Sequence, residues 1–246
     1  MSVLKVSGLS AAAGGRRLLY DIGLHVEIGE VVALVGASGS GKTLTLRTIL
    51  DLLPFRPGRT GGEVRVDGAL RSGASLRGEV GLVFQDARAS LDPLRTLGAQ
   101  LQHAARLARA PAPGAELLAR LGFPDPDAAA RRYPHELSGG MAQRAAIALA
   151  LARKSRFLFC DEPTTGLDAP VQAALVRELR GLRDTGCLFV THDLRLLPGF
   201  AGRILVMDEG RVVEEATSIA ALKGVGRVLV DATAAIAPPD WLGAAP

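Results

Sequence analysis

The 246-residue chain is 48% hydrophobic with a formal net charge of +4, which gives material for a large core and excludes a disordered chain. Only four of its 29 basic residues are lysines (Lys5, Lys42, Lys154 and Lys223) and aromatics make up 4%, so the basicity is scattered arginine without the interleaved rings of a nucleic-acid surface, and no nucleic-acid partner is expected. No apolar run nears the ~20 residues that span a bilayer, the start Met1-Ser-Val-Leu-Lys5 is not a signal peptide, and Cys160 and Cys187 fall in apolar runs as small core residues of a reducing compartment; a cytoplasmic chain is expected, with any membrane role exercised through a partner.

In chain order, Val3 to Val6 and Ile22 to Ile28 alternate apolar and polar residues as half-buried strands do, with Gly14-Gly15 as a turn between them. The run Val31 to Val35 is short and β-branched, as a buried parallel strand requires, and Leu44 to Leu53 contains no glycine or proline, which suits a helix. Between them lies Gly36-Ala37-Ser38-Gly39-Ser40-Gly41-Lys42-Thr43, which satisfies G-x-x-x-x-G-K-[ST] without a mismatch. Strand, glycine loop and helix together make a phosphate-binding loop: backbone N–H groups converge on phosphate oxygens, Lys42 reaches the β- and γ-phosphates, and Thr43 places its hydroxyl on Mg²⁺. An ordinary glycine-rich turn is the competing reading, and the flanking strand and helix argue against it.

After a breaker-rich loop from Pro54 to Gly62, Glu63 to Val66 reads as a strand closed by Asp67-Gly68, continuing an antiparallel edge sheet. Val80 to Phe84 is a further apolar strand that delivers Gln85 at its carboxyl end, where ligands bind in α/β sheets. From Leu94 to Ala152 strand signals vanish. Leu97 to Ala110 and Ala115 to Leu121 read as helices separated by Pro111-Ala-Pro-Gly, and Ser138-Gly139-Gly140 opens an alanine-rich helix from Met141 to Lys154. Strand character returns at Arg156 to Cys160, ending in Asp161-Glu162, a pair suited to holding Mg²⁺ and orienting water. Asp168 with Pro170 caps a helix to Arg183, and Cys187 to Val190 is a strand that brings His192 to the same edge as Gln85 and Glu162. His25, His103 and His135 have no such placement and read as surface or packing residues. A hairpin over Ile204 to Glu214 and a short helix capped by Thr217 and ending at Leu222 complete the patterned chain; the rest is weakly patterned.

The phosphate loop at 36–43, Gln85, Leu137-Ser-Gly-Gly-Met141, Asp161-Glu162, Gly166-Leu-Asp168 and His192 stand in the order and spacing of the ATP-binding cassette ATPases, which the chain resembles over residues 1–222. The stretches 85–93, 133–144 and 161–172, with Met141 among them, are similar to the branch that energises oligopeptide, dipeptide and nickel importers, and the short chain is most like the nickel-type subunits. The resemblance implies an α/β fold of RecA-like phosphate-loop type: a core at 1–85 and 155–222 with an antiparallel edge sheet, a helical subdomain at 86–154, and a tail at 223–246. It implies ATP and Mg²⁺ as ligands. Lys42 and the loop amides would hold the phosphates, Thr43, Gln85 and Asp161 the metal; Glu162 would be the general base and His192 would contact the γ-phosphate. Ser138, Gly139 and Gly140 would act in trans, on nucleotide held by a second cassette, a paralogue or another copy of this chain. A transmembrane permease, and through it an extracytoplasmic substrate-binding protein, would be the remaining partners of a subunit peripheral to the cytoplasmic membrane face. A soluble cassette ATPase of translation or DNA repair, or a subunit that binds nucleotide with little hydrolysis, are the alternatives. The chain departs from the family at Ala13, 23 residues before Gly36, where many cassettes place a ring that stacks on adenine; Ala13 cannot stack, Tyr20 has the spacing of a strand residue, and weak base selectivity is expected, with GTP competing nearly as well as ATP.

Overall fold

The computed structural model describes residues 2–110 and 115–234; the Pro111-to-Gly114 break and the residues after 234 lie outside them. Two sheets form the frame. The first is antiparallel, in the order β2-β1-β4-β5, from Val3–Ala13 (β1), Arg16–Glu27 (β2), Pro57–Val66 (β4) and Ala69–Arg71 (β5). The second runs β10-β9-β3-β8-β7-β6, from Val31–Val35 (β3), Val80–Val83 (β6), Phe157–Asp161 (β7), Gly186–Val190 (β8), Arg203–Asp208 (β9) and Arg211–Ala216 (β10). Its four pairings from β9 to β6 are parallel, and only the β9–β10 hairpin is antiparallel. The parallel strands are buried on both faces, which is why they read as unbroken apolar runs. One core packs between the sheets around Leu9, Val32, Leu46, Phe157 and Leu188, and a second spreads from the other face of the parallel sheet into the helical region.

The expected loop at 54–62 is half strand. Pro57 lies opposite Ala13 and Gly58 opposite Ala12 in β4–β1 pairing, while β5 pairs only with Val64 to Val66, so the proline and glycines occupy an edge where a missing N–H costs no ladder bond. The helix after the phosphate loop, Lys42–Ile49 (α1), begins and ends earlier than its apolar pattern suggests, with Asp51 in the left-handed region just beyond it. Two short helices, Gly73–Arg77 (α2) and Pro126–Arg131 (α5), carry too few turns to show a period. The helical region otherwise holds Leu97–Leu107 (α3), Ala115–Arg120 (α4) and Gly139–Ala152 (α6); α6 starts at Gly139 because the Ser138 hydroxyl accepts from the Met141 N–H. Helix α7 (Ala169–Arg180) is capped by Asp168, whose carboxylate accepts from Val171 N–H at 3.1 Å. The short helix near 219 is a single 3₁₀ turn, Ile219–Ala221, entered from Ser218 rather than Thr217. The unpatterned stretch after Leu222 forms a helix, Gly224–Ala234 (α8). Its glycines and small residues hide the period, but Leu229 and Val230 pack on the core and Glu214 accepts from the Lys223 and Gly226 N–H groups.

Candidate functional site

The phosphate loop takes a shape only glycine permits. A Cβ on Gly36 (φ +156) would stand 2.2 Å from the Met207 carbonyl oxygen, and one on Gly41 (φ +109) 2.9 Å from the Met207 side chain and 3.0 Å from Leu19. Gly41 is also the N-cap of α1, with no side-chain cap and no acid in the first turn, so the first N–H groups of the helix are left for another acceptor. Lys42 is buried and folds back on the loop, donating to the carbonyls of Gly36 at 2.8 Å and Ala37 at 2.9 Å. Burial pulls its pKa down, opposed by the charges of Glu162 and Asp161. The Ser40 hydroxyl is buried without a hydrogen-bond partner among the described residues. A concave row of backbone donors, a buried ammonium and an orphaned hydroxyl fit a polyphosphate.

Strand register brings the acids to this loop. The backbone N–H of Thr191 donates to Leu34 at 3.2 Å and that of Glu162 to Val190 at 3.0 Å, so the ends of β3, β8 and β7 stand side by side. The Thr43 hydroxyl donates to the Asp161 carboxylate at 2.9 Å. Burial raises the pKa of Asp161, a tendency the Thr43 bond opposes and the neighbouring Glu162 reinforces. A hydroxyl and a buried carboxylate side by side are the hard oxygen ligands that Mg²⁺ accepts. Glu162 adopts φ +47, a left-handed backbone that side chains rarely occupy. It is held by its N–H bond to Val190 and by Thr165 N–H donating to its carbonyl at 3.2 Å. Its carboxylate stands 3.2 Å from His192 Nδ1.

A cleft of about 630 Å³ opens here. Its lining includes the polar Ser38, Lys42, Thr43, Gln85, Glu162 and His192, the apolar Leu44, Leu53, Pro54 and Phe55, and Arg47. Gln85, Glu162 and His192 thus converge on the loop from three different strand ends. Ser138, Gly139 and Gly140, at the exposed start of α6, are not among the residues that line the cleft. The sequence carries no motif for the apolar lining, since Pro54 and Phe55 sit in a stretch that reads only as a break. Tyr20 takes a strand place in β2, its N–H donating to Gly210 at 2.9 Å. His135 stacks on Tyr133 and His25 lies near Arg203, both away from the cleft.

A glycine loop between a buried parallel strand and a helix, facing two acids at the end of another strand of the same sheet, defines a phosphate-loop nucleotide-binding domain. The model of the ABC transporter family matches residues 19–165, more than half of the chain, and the chain belongs to that family. It is 40% identical over 218 residues to a probable peptide ABC transporter ATP-binding protein of Sinorhizobium fredii, covering 82% of this chain and 65% of that one. It is 37% identical to the oligopeptide transport ATP-binding protein OppD of Bacillus subtilis, covering 83% and 62%. The chain therefore spans under two thirds of these peptide-type relatives. The nickel import ATP-binding protein NikD of Pseudomonas putida is 39% identical over 222 residues, covering 87% of each chain. A bacterial Atm1-family ABC exporter structure superposes with a TM-score of 0.77 at 23% identity, over 95% of this chain and 42% of that one, a likeness of fold alone.

Proposed function

We propose that this chain is the ATP-binding and ATP-hydrolysing subunit of a membrane importer whose cargo is nickel, free or chelated, or a small peptide. The convergence of Lys42, the Thr43–Asp161 pair, Glu162 and His192 on one cleft carries this reading, because phosphoryl transfer needs positioning and charge neutralisation more than covalent chemistry. The loop amides and Lys42 bind the β- and γ-phosphates of ATP. Thr43 and Asp161, with Gln85 at the cleft's edge, hold Mg²⁺, which when bound neutralises charge across the phosphate oxygens. Glu162 accepts the proton of the attacking water, and His192, whose Nδ1 stands 3.2 Å from it, contacts the γ-phosphate. Ser138, Gly139 and Gly140 complete the corresponding site of a second cassette, so ATP closes a pair of chains and hydrolysis opens it.

No helix among the described residues is long and apolar enough to cross a membrane, so work on a cargo passes through permease subunits, with this chain docked at their cytoplasmic side. Relatives named for peptide and for nickel import stand at about the same identity, so both cargo classes enter the test. The test is co-purification with the permease, followed by ATP hydrolysis in membranes supplemented with nickel salt, a nickel chelate or a dipeptide together with the cognate binding protein. One cargo should raise hydrolysis; a chain that neither associates with a permease nor responds to any of the three sinks the importer reading.

A further inference from the structure

The residues that line the cleft are of two chemical kinds. Lys42, Arg47, Gln85, Glu162 and His192 are polar or charged, whereas Leu44, Leu53, Pro54 and Phe55 are apolar. A nucleotide has the same division, charged at its phosphates and flat and weakly polar at its base. We propose that Phe55 is the surface on which the base stacks, an assignment that rests on the nucleotide-binding role proposed above.

Phe55 is the one phenyl ring among the residues lining the cleft, and it is half-buried, so part of the ring is open to a ligand. Pairing of Pro57 with Ala13 puts this segment at the tip of the β1–β2 hairpin, beside a residue with no ring. Tyr20, the other aromatic candidate near the hairpin, is already engaged. The guanidinium groups of Arg17 and Arg211 stand over its ring at 5.0 and 4.5 Å, and its hydroxyl donates to the Arg17 carbonyl at 3.2 Å. The segment carrying Phe55 is also fixed at both ends. Leu52 N–H donates to Arg47 at 2.8 Å, and the Asp51 carboxylate accepts from Gly73 N–H at 2.7 Å and pairs with Arg59 at 3.6 Å. On the far side Gly58 (φ +76) packs so closely that a Cβ there would lie 3.2 Å from the Phe55 carbonyl oxygen. A ring on a fixed loop loses little freedom when a base settles on it, and because every base has a π-face such a platform is tolerant of base identity, in line with weak base selectivity.

The test compares the wild-type chain, Phe55→Ala and Phe55→Trp in calorimetric binding of MgATP and of magnesium tripolyphosphate, which has the phosphates without the base. Phe55→Ala should bind MgATP roughly tenfold more weakly or worse, while its tripolyphosphate affinity stays within about twofold. In Phe55→Trp, MgATP should quench the indole emission and tripolyphosphate should not, which carries the test even if the alanine variant melts early. The assignment is overturned if Phe55→Ala keeps wild-type MgATP affinity, if it loses both ligands equally, or if the indole responds to both alike. A wild-type chain that binds neither ligand removes the nucleotide-binding role itself, and this assignment with it.

Discussion

The starts of α1 and α6 make an instructive pair. Both are helix N-termini entered through glycines, and neither carries an acid in its first turn. At α1 the cap is Gly41, which has no side chain to satisfy the leading N–H groups, and the surrounding fold supplies a buried Lys42, an orphaned Ser40 hydroxyl and two acids. At α6 the cap is Ser138, whose own hydroxyl serves the Met141 N–H, and the start faces outward. One terminus is left incomplete inside a finished cleft; the other is satisfied in isolation and needs a foreign surface to acquire a ligand. A helix start is thus assigned by what surrounds it, not by its glycines.

Substitutions can separate the two. Glu162→Gln should leave MgATP binding intact and lower turnover by roughly 10²–10⁴-fold, because only the proton acceptor is lost; the variant should accumulate as an ATP-dependent dimer on a sizing column. Turnover at the wild-type rate would move the base elsewhere. Ser138→Ala should lower turnover of the assembled pair by roughly tenfold, losing a hydrogen bond to a charged phosphate, while MgATP binding to the isolated chain stays unchanged. The same change removes an exposed cap and should cost about 1 kcal/mol of stability in a denaturant titration; a matching loss of monomer binding would place Ser138 in its own chain's site.

The smallest effect concerns Asp161. Its carboxyl has a raised pKa in the folded chain because of burial, so the fold favours the protonated form. That contribution is fully present below the ordinary carboxylate value of 3.8 and is lost as pH rises through the raised one, leaving a cost at neutral pH. Asp161→Asn should therefore melt a few degrees higher than the wild type at pH 7 without nucleotide. The gain should shrink as pH falls, and Mg²⁺-dependent binding should disappear. A variant less stable than the wild type at pH 7 would show that the charged form is the favoured one.

Much of this was legible in the residues. β3, β7 and β8 announce themselves because strands buried on both faces are continuous apolar runs, and the glycine, acid and threonine that end them, Gly36, Asp161 and Thr191, mark the carboxyl edge of the sheet. The loop at 36–43 is equally plain, since lysine and threonine at that spacing have few other uses. The left-handed backbone of Glu162 had no such signal, being imposed by bonds to Val190 and Thr165 that only the register creates. Phe55 was hidden for a related reason: Pro54, Pro57 and Gly58 read as a break, and nothing local reveals that β1 extends to Ala13 to meet them. Helix α8 was hidden by its own small residues.

The place of β3 in the sheet also sets a timetable. Its two neighbours are β8, which begins at Gly186, and β9, which begins at Arg203. A ribosome that has made the phosphate loop has made a strand with nowhere to pair, and it must synthesise some 150 more residues before either partner exists. Until then the apolar residues Val31 to Val35 have no sheet to enter, a long-range closure that is intrinsically slow. The nascent chain therefore gains its phosphate site only after β8 and β9 have been made, and what guards it before that must come from outside the fold.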